Sequence, residues 1–293
     1  MSENILFGII GGSGLYGLKE LQNQQTVEVE TPFGKPSSPI IIGEVHGQKL
    51  AFLARHGIGH IYSPSEVNYR ANIYAMKQLG VGALVSVSAV GSLRADYAPG
   101  DIVIPDQVYD NTHKRERSFF GNGLVVHVGV ADPFCPGLNA AVLKSLKAEG
   151  ANVHSGGTLI TIEGPRFSTR GESNTFRGWG MSLVGMTACP EVFLAREAEM
   201  CYTTMAHVTD YDSWHINEEP VSVEMVVQTL MKNTEIAQRS LVRLVDELTS
   251  PSVNELPTCD CNTALKDAII SNPDYVTPEA RQNVSLLVDK YMN

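Results

Sequence analysis

Short, largely apolar runs recur along the chain, at residues 5–10, 82–87, 101–105, 158–162, 182–186 and 201–208. Runs of four to eight apolar residues bounded by Gly, Ser, Thr or Asp are the pattern of strands buried inside a sheet. Between them lie segments with helical periodicity. Ser63-Pro64-Ser65-Glu66 has capping-box spacing and predicts a helix start, with Val67, Ala71, Tyr74 and Leu79 as its apolar stripe and Gly80 as its stop. That register leaves Asn68, Arg70 and Asn72 in solvent or at an interface. Further helices are predicted over 139–149, 170–179, from Thr187 through 194–200, and as one long amphipathic stretch over 222–248. Residues 39–45 and 48–54 flank His46-Gly47 and read as a hairpin. Residues 106–120 read as a polar loop whose charge cluster at 113–117 is solvated or in a subunit contact rather than a binding site, and 125–130 as a strand carrying His127. A Ser/Pro/Asn-containing linker at 249–257 precedes a tail with two helices, the second started by Thr277-Pro278.

The polar residues that end these strands carry the candidate chemistry. In an open α/β sheet, ligands collect beyond the carboxyl ends of the strands. Asp210 and Asp212 follow the run at 201–208 and share a strand parity, so both can face one pocket. The alternative is that Thr209 and Asp210 only cap a turn. The first strand runs into Gly11-Gly12-Ser13-Gly14-Leu15-Tyr16-Gly17, a literal G-x-G-x-x-G. The polar residues at 18–25 make a poor crossover helix and a hairpin follows, which argues against a dinucleotide fold and leaves a Gly-rich anion loop. Arg55 ends the hairpin and has the geometry for bidentate contact with phosphate, the alternative being a salt bridge. His56 and His60 flank Gly57 and Gly59, a poor frame for a helical metal pair. Ser88-Ala89 offers a hydroxyl and close backbone amides to an oxyanion. Phe167 and Ser168 suit a flat ring, and Thr187 opens a helix whose N-terminus favours an anion. Together these describe one pocket with an oxyanion end and a purine-like end.

The formal charge of −10 disfavours nucleic acid or an anionic membrane as a partner. No apolar run approaches the ~20 residues of a membrane span, and the first residues lack a basic leader. The totals allow one large α/β domain or two small ones. Cys135, Cys189 and Cys201 lie in apolar surroundings and read as buried thiols of a reducing cytoplasm. Cys259-Asp260-Cys261 lies in the polar tail, where a metal site needs a second pair that the neighbouring sequence does not supply. A redox-labile pair and plain surface thiols are the readings left.

Longer motifs support a family resemblance. Gly-Ile-Ile-Gly-Gly-Ser-Gly-Leu at 8–15, Thr-Pro-Phe-Gly-Lys-Pro-Ser at 31–37, Leu-Ala-Arg-His-Gly at 53–57, Ala-Val-Gly-Ser-Leu at 89–93 and Gly-Asp-Ile-Val at 100–103 carry its first half. Asp-Pro-Phe-Cys-Pro at 132–136, Ile-Glu-Gly-Pro-Arg-Phe-Ser at 162–168, Gly-Met-Thr at 185–187 and Thr-Asp-Tyr-Asp at 209–212 complete it. Over residues 5–249 the chain resembles the 5′-methylthioadenosine phosphorylases, within the trimeric purine nucleoside phosphorylases. The resemblance implies an α/β fold in one domain (1–249) with a mixed central β-sheet flanked by helices, and a helical C-terminal extension (250–293) packing on it. It implies a cytoplasmic homotrimer, or a dimer of trimers. Inorganic phosphate is then a co-substrate, with no metal and no organic cofactor.

Carried over by position, phosphate falls at Ser13, Arg55, His56, Ser88, Ala89 and Thr187. Met186 lies under the ribose, while Phe167, Ser168, Asp210 and Asp212 surround the adenine, with Asp210 and Asp212 catalytic. Val223 and Val226, with His127 of a neighbouring subunit and Ile269 or Ile270 of the tail, close the 5′ pocket. The implied reaction cleaves 5′-methylthioadenosine with phosphate to adenine and 5-methylthioribose 1-phosphate. The alternatives are a broader phosphorylase acting on adenosine or on inosine and guanosine, and a non-enzymatic nucleoside sensor. A carboxyl at 210 favours a 6-amino purine, because it can both donate to N7 and accept from N6.

Overall fold

The computed structural model describes residues 5–12, 15, 17–215 and 223–292. Strand β1 (Ile5–Gly11) leaves the core at the Gly-rich stretch, and an exposed edge strand β2 (Gln22–Val27) follows in place of a crossover helix. The dinucleotide reading of the glycine motif therefore has no structural counterpart. The hairpin is present as β3 (Ile40–Val45) and β4 (Gln48–Ala54), turned by His46 and Gly47, both at positive φ.

Helix α1 (Tyr69–Gln78) starts later than the capping-box pattern predicts. The Ser63–Glu66 box exists, with the Ser63 amide donating to Glu66 Oε2 at 2.9 Å, but it closes only a turn. Asn68 is the true cap, its side chain accepting from the Ala71 amide. This shift also corrects the expectation for Asn72. It is fully buried, accepting from the Ser37 amide at 2.7 Å and donating to Ser37 Oγ at 3.0 Å.

The remaining elements are β5 (Ala83–Ser92), β6 (Ile102–Ile104), β7 (Gln107–Asn111), α2 (Pro136–Ala148), β8 (Val153–Ser155), β9 (Thr158–Ile162), α3 (Arg170–Gly178), β10 (Leu183–Gly185), α4 (Ala188–Glu197), β11 (Cys201–Asp210), α5 (Val223–Thr249), α6 (Pro278–Asn283) and α7 (Ser285–Val288). The supposed polar loop at 106–120 thus begins as β7, paired in parallel with β9. Its Arg115 is buried beneath the site, not solvated. Residues 125–130 form no strand, and only Val126 makes an isolated bridge, to Ile269 of the tail.

The sheet is mixed and branched. Strand β5 pairs along one edge with β11 in parallel, from Ala83–Cys201 to Gly91–Asp210. Its other edge is shared, with β1 pairing up to Ser86 and β10 taking over antiparallel from Gly91. Between Ser86 and Gly91 that edge has no strand partner among the described residues, so the sheet is split open where Ser88 and Ala89 lie. The two faces of the sheet carry separate cores. Ile10, Leu53 and Ile42 join α1, α4 and the tail residues Leu265, Leu287 and Val288 on one side. Ile9, Phe52 and Leu50 join α2 and α5 on the other, so neighbouring residues of β1 alternate between cores as strand geometry requires. No helix among the described residues is long and apolar enough to cross a membrane.

Candidate active site

The opening in the edge of β5 is filled by Arg55. The chain leaves β4 there, and the Arg55 amide bonds to the Gly11 carbonyl at 3.0 Å. The side chain is 2% exposed, and every N–H of its guanidinium finds an acceptor. Nε and Nη2 form a bidentate pair with Glu191 at 2.7 and 2.9 Å. Nη2 also reaches Ile10 O on β1 and Ser86 Oγ on β5, while Nη1 reaches Val87 O and Ser88 Oγ, both at 3.2 Å. One guanidinium thus satisfies backbone carbonyls of both strands where they part. Tyr202 donates to Glu191 Oε1 at 2.8 Å and completes the network. Burial works against the arginine's charge, but the Glu191 carboxylate outweighs it and raises the guanidinium above its ordinary value. The bidentate edge of Arg55 therefore faces Glu191 and not an open site. Toward the site it presents only Nη1, through Ser88.

Ser88 Oγ lies 3.2 Å from Thr187 Oγ1. Thr187 occupies the N-cap of α4 and makes no side-chain cap bond, while the Cys189 amide is taken by Thr161 Oγ1 at 3.3 Å and Pro190 has none, so of the first three α4 residues only Ala188 keeps an amide to offer. Ala89 adjoins Ser88 on the unpaired stretch of β5. Ser13 lies outside the described residues. His56 follows Arg55, its Nδ1 2.9 Å from Tyr62 O, which fixes the proton on Nδ1 and leaves Nε2 as an acceptor. Burial, then the Arg55 charge, pushes the imidazole down to about 4, so it is neutral near pH 7. A neutral His56 can contact phosphate only by accepting its hydrogen.

The acid pair sits further along the same two strands. Asp210 is 6% exposed and lies in register with Gly91. A Cβ on Gly91 would come within 3.0 Å of Asp210 Oδ1 and 3.1 Å of Asp212 Cβ, so glycine makes room for both acids. Asp210 Oδ1 accepts from the Asp212 amide at 2.8 Å. Its Oδ2 is 2.6 Å from Thr209 Oγ1, which also lies 3.2 Å from Val90 O. The single hydroxyl hydrogen serves one of these at a time. When Asp210 is protonated, its O–H can face Thr209 while Thr209 donates to Val90. Burial raises the Asp210 carboxyl above the usual carboxylate range, against its hydrogen bonds to Thr209 and Asp212.

Asp212 is also raised by burial, with the Ser173 and Ser168 hydroxyls partly countering it. Its φ of 47° is left-handed, a conformation that an L-residue holds at a cost of ~1 kcal/mol. Asp212 Oδ2, Ser168 Oγ and Ser173 Oγ are all buried with no hydrogen bond of good geometry among the described residues. These atoms share one corner, where the two hydroxyls neighbour the carboxylate loosely enough to leave capacity for a further polar group. Phe167, 36% exposed, stands at the rim beside them. Ser213 Oγ donates to Ser168 O at 2.7 Å and Trp214 Nε1 to Ser92 O at 2.7 Å, tying this corner to β5.

Met186 lies between the two ends, one residue before Thr187. Its sulfur would be 2.7 Å from a Cβ on Gly164, which holds φ 67°, so only glycine lets the 163–165 backbone pass. Arg115 clamps this segment from below, donating to Met186 O at 2.6 Å, Cys189 O at 2.7 Å and Glu163 O at 2.9 Å. Glu191, Ser86 and Arg115 are the site's supports that sequence reasoning missed. Pro190-Glu191 marks a helix start, but nothing local joins Glu191 to an arginine 136 residues earlier.

Three further expected nucleoside contacts lie on α5 and on the segment after β7. Val223 is exposed and Val226 half-buried on the first turn of α5. His127 is exposed and remote in sequence, with its amide bonded to Ala268 O at 2.9 Å; the next tail rung joins the Ile270 amide to Val125 O at 3.1 Å. His127 and the tail residues Ile269 and Ile270 are thus one unit.

Comparison with known proteins places this geometry. Residues 6–247 match the phosphorylase superfamily. The chain is 50% identical over 285 residues to the S-methyl-5′-thioadenosine phosphorylase of Chloroflexus aurantiacus, covering 97% of each. It is 48% identical over 287 residues to that of Koribacter versatilis, covering 97% of this chain and 96% of the relative. Among solved structures it resembles a methylthioadenosine phosphorylase from an antarctic soil metagenomic library, with TM-score 0.91, 44% identity and coverage of 98% and 100%. It also resembles the Schistosoma mansoni methylthioadenosine phosphorylase solved with adenine, with TM-score 0.83, 34% identity and coverage of 90% and 99%.

Proposed function

The chain belongs to the phosphorylase superfamily, and on that premise we propose how its own residues cleave 5′-methylthioadenosine with phosphate, giving adenine and 5-methylthioribose 1-phosphate. The observation that carries the assignment of roles is the spacing along β5 and β11. Three residues separate the Ser88 hydroxyl from the Gly91–Asp210 rung, about 10 Å at ~3.3 Å per residue. That is the reach from a phosphate beneath C1′ to the far edge of a purine.

Phosphate sits at Ser88, Ala89 and Thr187, beside the two hydroxyls that lie 3.2 Å apart. Ser13 and His56 complete the pocket, and Arg55 acts by polarising Ser88. The purine lies beside Phe167, with Asp210 toward N7 and N6. As the C1′–N9 bond breaks, its electron pair passes into the base and Asp210 delivers a proton to N7. A phosphate oxygen forms the new bond to C1′. Burial supports a protonated Asp210, and the loosely engaged Asp212 and Ser168 atoms support a polar base edge in their corner. Met186 underlies the ribose, while Val223 and Val226 bear on the 5′ group.

We also infer a homotrimer or a dimer of trimers, in which the His127–Ile270 unit closes a neighbour's 5′ pocket. The exposure of both residues supports it. Five thiols without a disulfide support a cytoplasmic location. No organic cofactor is needed for this chemistry.

Product analysis tests the reading with methylthioadenosine, adenosine and inosine, each with and without phosphate. Adenine is expected from methylthioadenosine only when phosphate is present, with slower turnover of the other two. Equal release of base in phosphate-free buffer sinks the proposal. Comparable turnover of adenosine widens the substrate class.

A further inference from the structure

The tail cysteines acquire in three dimensions the second pair that the sequence near them lacks. The Sγ atoms of Cys135, Cys201, Cys259 and Cys261 all lie within 4.8 Å of one another, with Cys201 and Cys259 3.6 Å apart. Four thiolates held tetrahedrally at a Zn–S length of ~2.3 Å stand about 3.8 Å from each other. We propose that these four cysteines form a tetrathiolate zinc site that fastens the C-terminal segment to the core.

Each ligand comes from a fixed point. Cys135 is the N-cap of α2, and its amide donates to Tyr202 O at 2.9 Å, which sets it beside Cys201 at the start of β11. The tail arrives closely enough that a Cβ on Gly137 would lie 2.5 Å from Pro257 O. Cys135 and Cys261 are buried, Cys201 is partly covered and Cys259 is exposed, so the site is closed below and open to entry at one ligand.

The surrounding groups suit a bound metal. Zinc with four thiolates carries two net negative charges, which need donors around the sulfurs. The Leu138 amide, in the first turn of α2, points to Cys135 Sγ at 3.5 Å. Arg196 places Nη1 3.4 Å from Cys261 Sγ while Nη2 holds Asp260 Oδ1 at 2.9 Å, orienting the residue between the two tail ligands. An all-sulfur tetrahedral set selects zinc over magnesium, calcium or manganese. Binding expels the remaining thiol protons to solvent and changes no oxidation state. A disulfide would instead draw a pair to ~2.05 Å, whereas the Cys201 and Cys259 sulfurs stand 3.6 Å apart.

The test uses the full chain purified under reducing, chelator-free conditions. Elemental analysis should find one zinc per chain, and cobalt(II) exchanged for it should give the intense visible absorption of tetrahedral thiolate coordination. Cys259→Ser with Cys261→Ser should lose the zinc and lower Tm, while phosphorolysis at moderate temperature persists because no ligand touches the site. Fully reduced protein that binds neither zinc nor cobalt overturns the proposal, as does iron in place of zinc, or an unchanged zinc content in the double variant. Peptide mapping after thiol blocking in the cell overturns it too if these cysteines prove to be paired as disulfides. Should the double variant aggregate, the wild-type chain decides by itself. Chelation must release zinc together with four newly reactive thiols.

Discussion

The two ends of the candidate site solve opposite problems. At the oxyanion end, every hydrogen of Arg55 is already engaged, with Glu191, two backbone carbonyls and two serine hydroxyls. At the base end, Asp212 Oδ2, Ser168 Oγ and Ser173 Oγ are buried and only loosely engaged with one another, none in a hydrogen bond of good geometry. The first end is completed by the protein and holds its shape without ligand. The second keeps polar capacity for what binds there. Removing a group from the first should therefore cost stability, and from the second, turnover.

The sharpest test of that contrast is Glu191→Ala. It leaves a buried guanidinium unpaired, and the expected loss is roughly 3–5 kcal/mol in denaturant unfolding. A loss below ~1 kcal/mol would mean that water reaches Arg55 and that the end is not sealed. Next is Asp210→Asn, which keeps the shape and removes the proton donor. We expect kcat/KM for methylthioadenosine to fall about 10²–10³-fold, with stability nearly unchanged and preference moving toward inosine. Unaltered selectivity between the two nucleosides breaks the hydrogen-bond account of base choice.

Ser88→Ala should be milder. It removes a hydroxyl between the Arg55 guanidinium and the phosphate anion, roughly 1.5–2 kcal/mol, raising KM for phosphate some 10–30-fold while KM for the nucleoside holds. The smallest effect is in the pH profile. Burial raises both Asp210 and Asp212, and the working form of Asp210 is protonated. Activity is thus full below the raised carboxyl value and declines as pH rises through it. Burial is the main cause at both acids, and the Asp212 charge adds to it at Asp210. In folding, a raised carboxyl stabilises the chain fully below its unfolded value and loses that contribution as pH rises through the folded one. Asp210→Asn should flatten the alkaline limb of kcat/KM, and an unchanged limb would assign it elsewhere.

Much of this was legible in the chain itself. The apolar runs located β1, β5, β9, β10 and β11, because strands buried on both faces must be apolar at nearly every position. The polar residues ending those runs named the two ends of the pocket for the same reason, since that is where the backbone leaves the core. What stayed hidden depends on long-range pairing. Arg55 looked like a ligand clamp because its counter-charge lies 136 residues away. Asn72 looked solvated because Ser37, which satisfies it, belongs to another segment. Helix α1 began late because two overlapping caps competed, at Ser63 and at Asn68, and local spacing does not rank them. Cys259 and Cys261 looked solitary for the same reason, since their neighbours Cys135 and Cys201 are brought up by the fold.

The plug in the split edge of β5 also dictates when this protein can become itself. Until position 191 has left the ribosome, the cation at 55 has no anion to meet, and the gap between β1 and β10 has nothing neutral to fill it. A nascent chain that stops short of α4 must keep its first sheet unsealed, however apolar its strands. The amino-terminal half is thus not a folding unit in its own right, and translation has to run well past the middle before the architecture can lock.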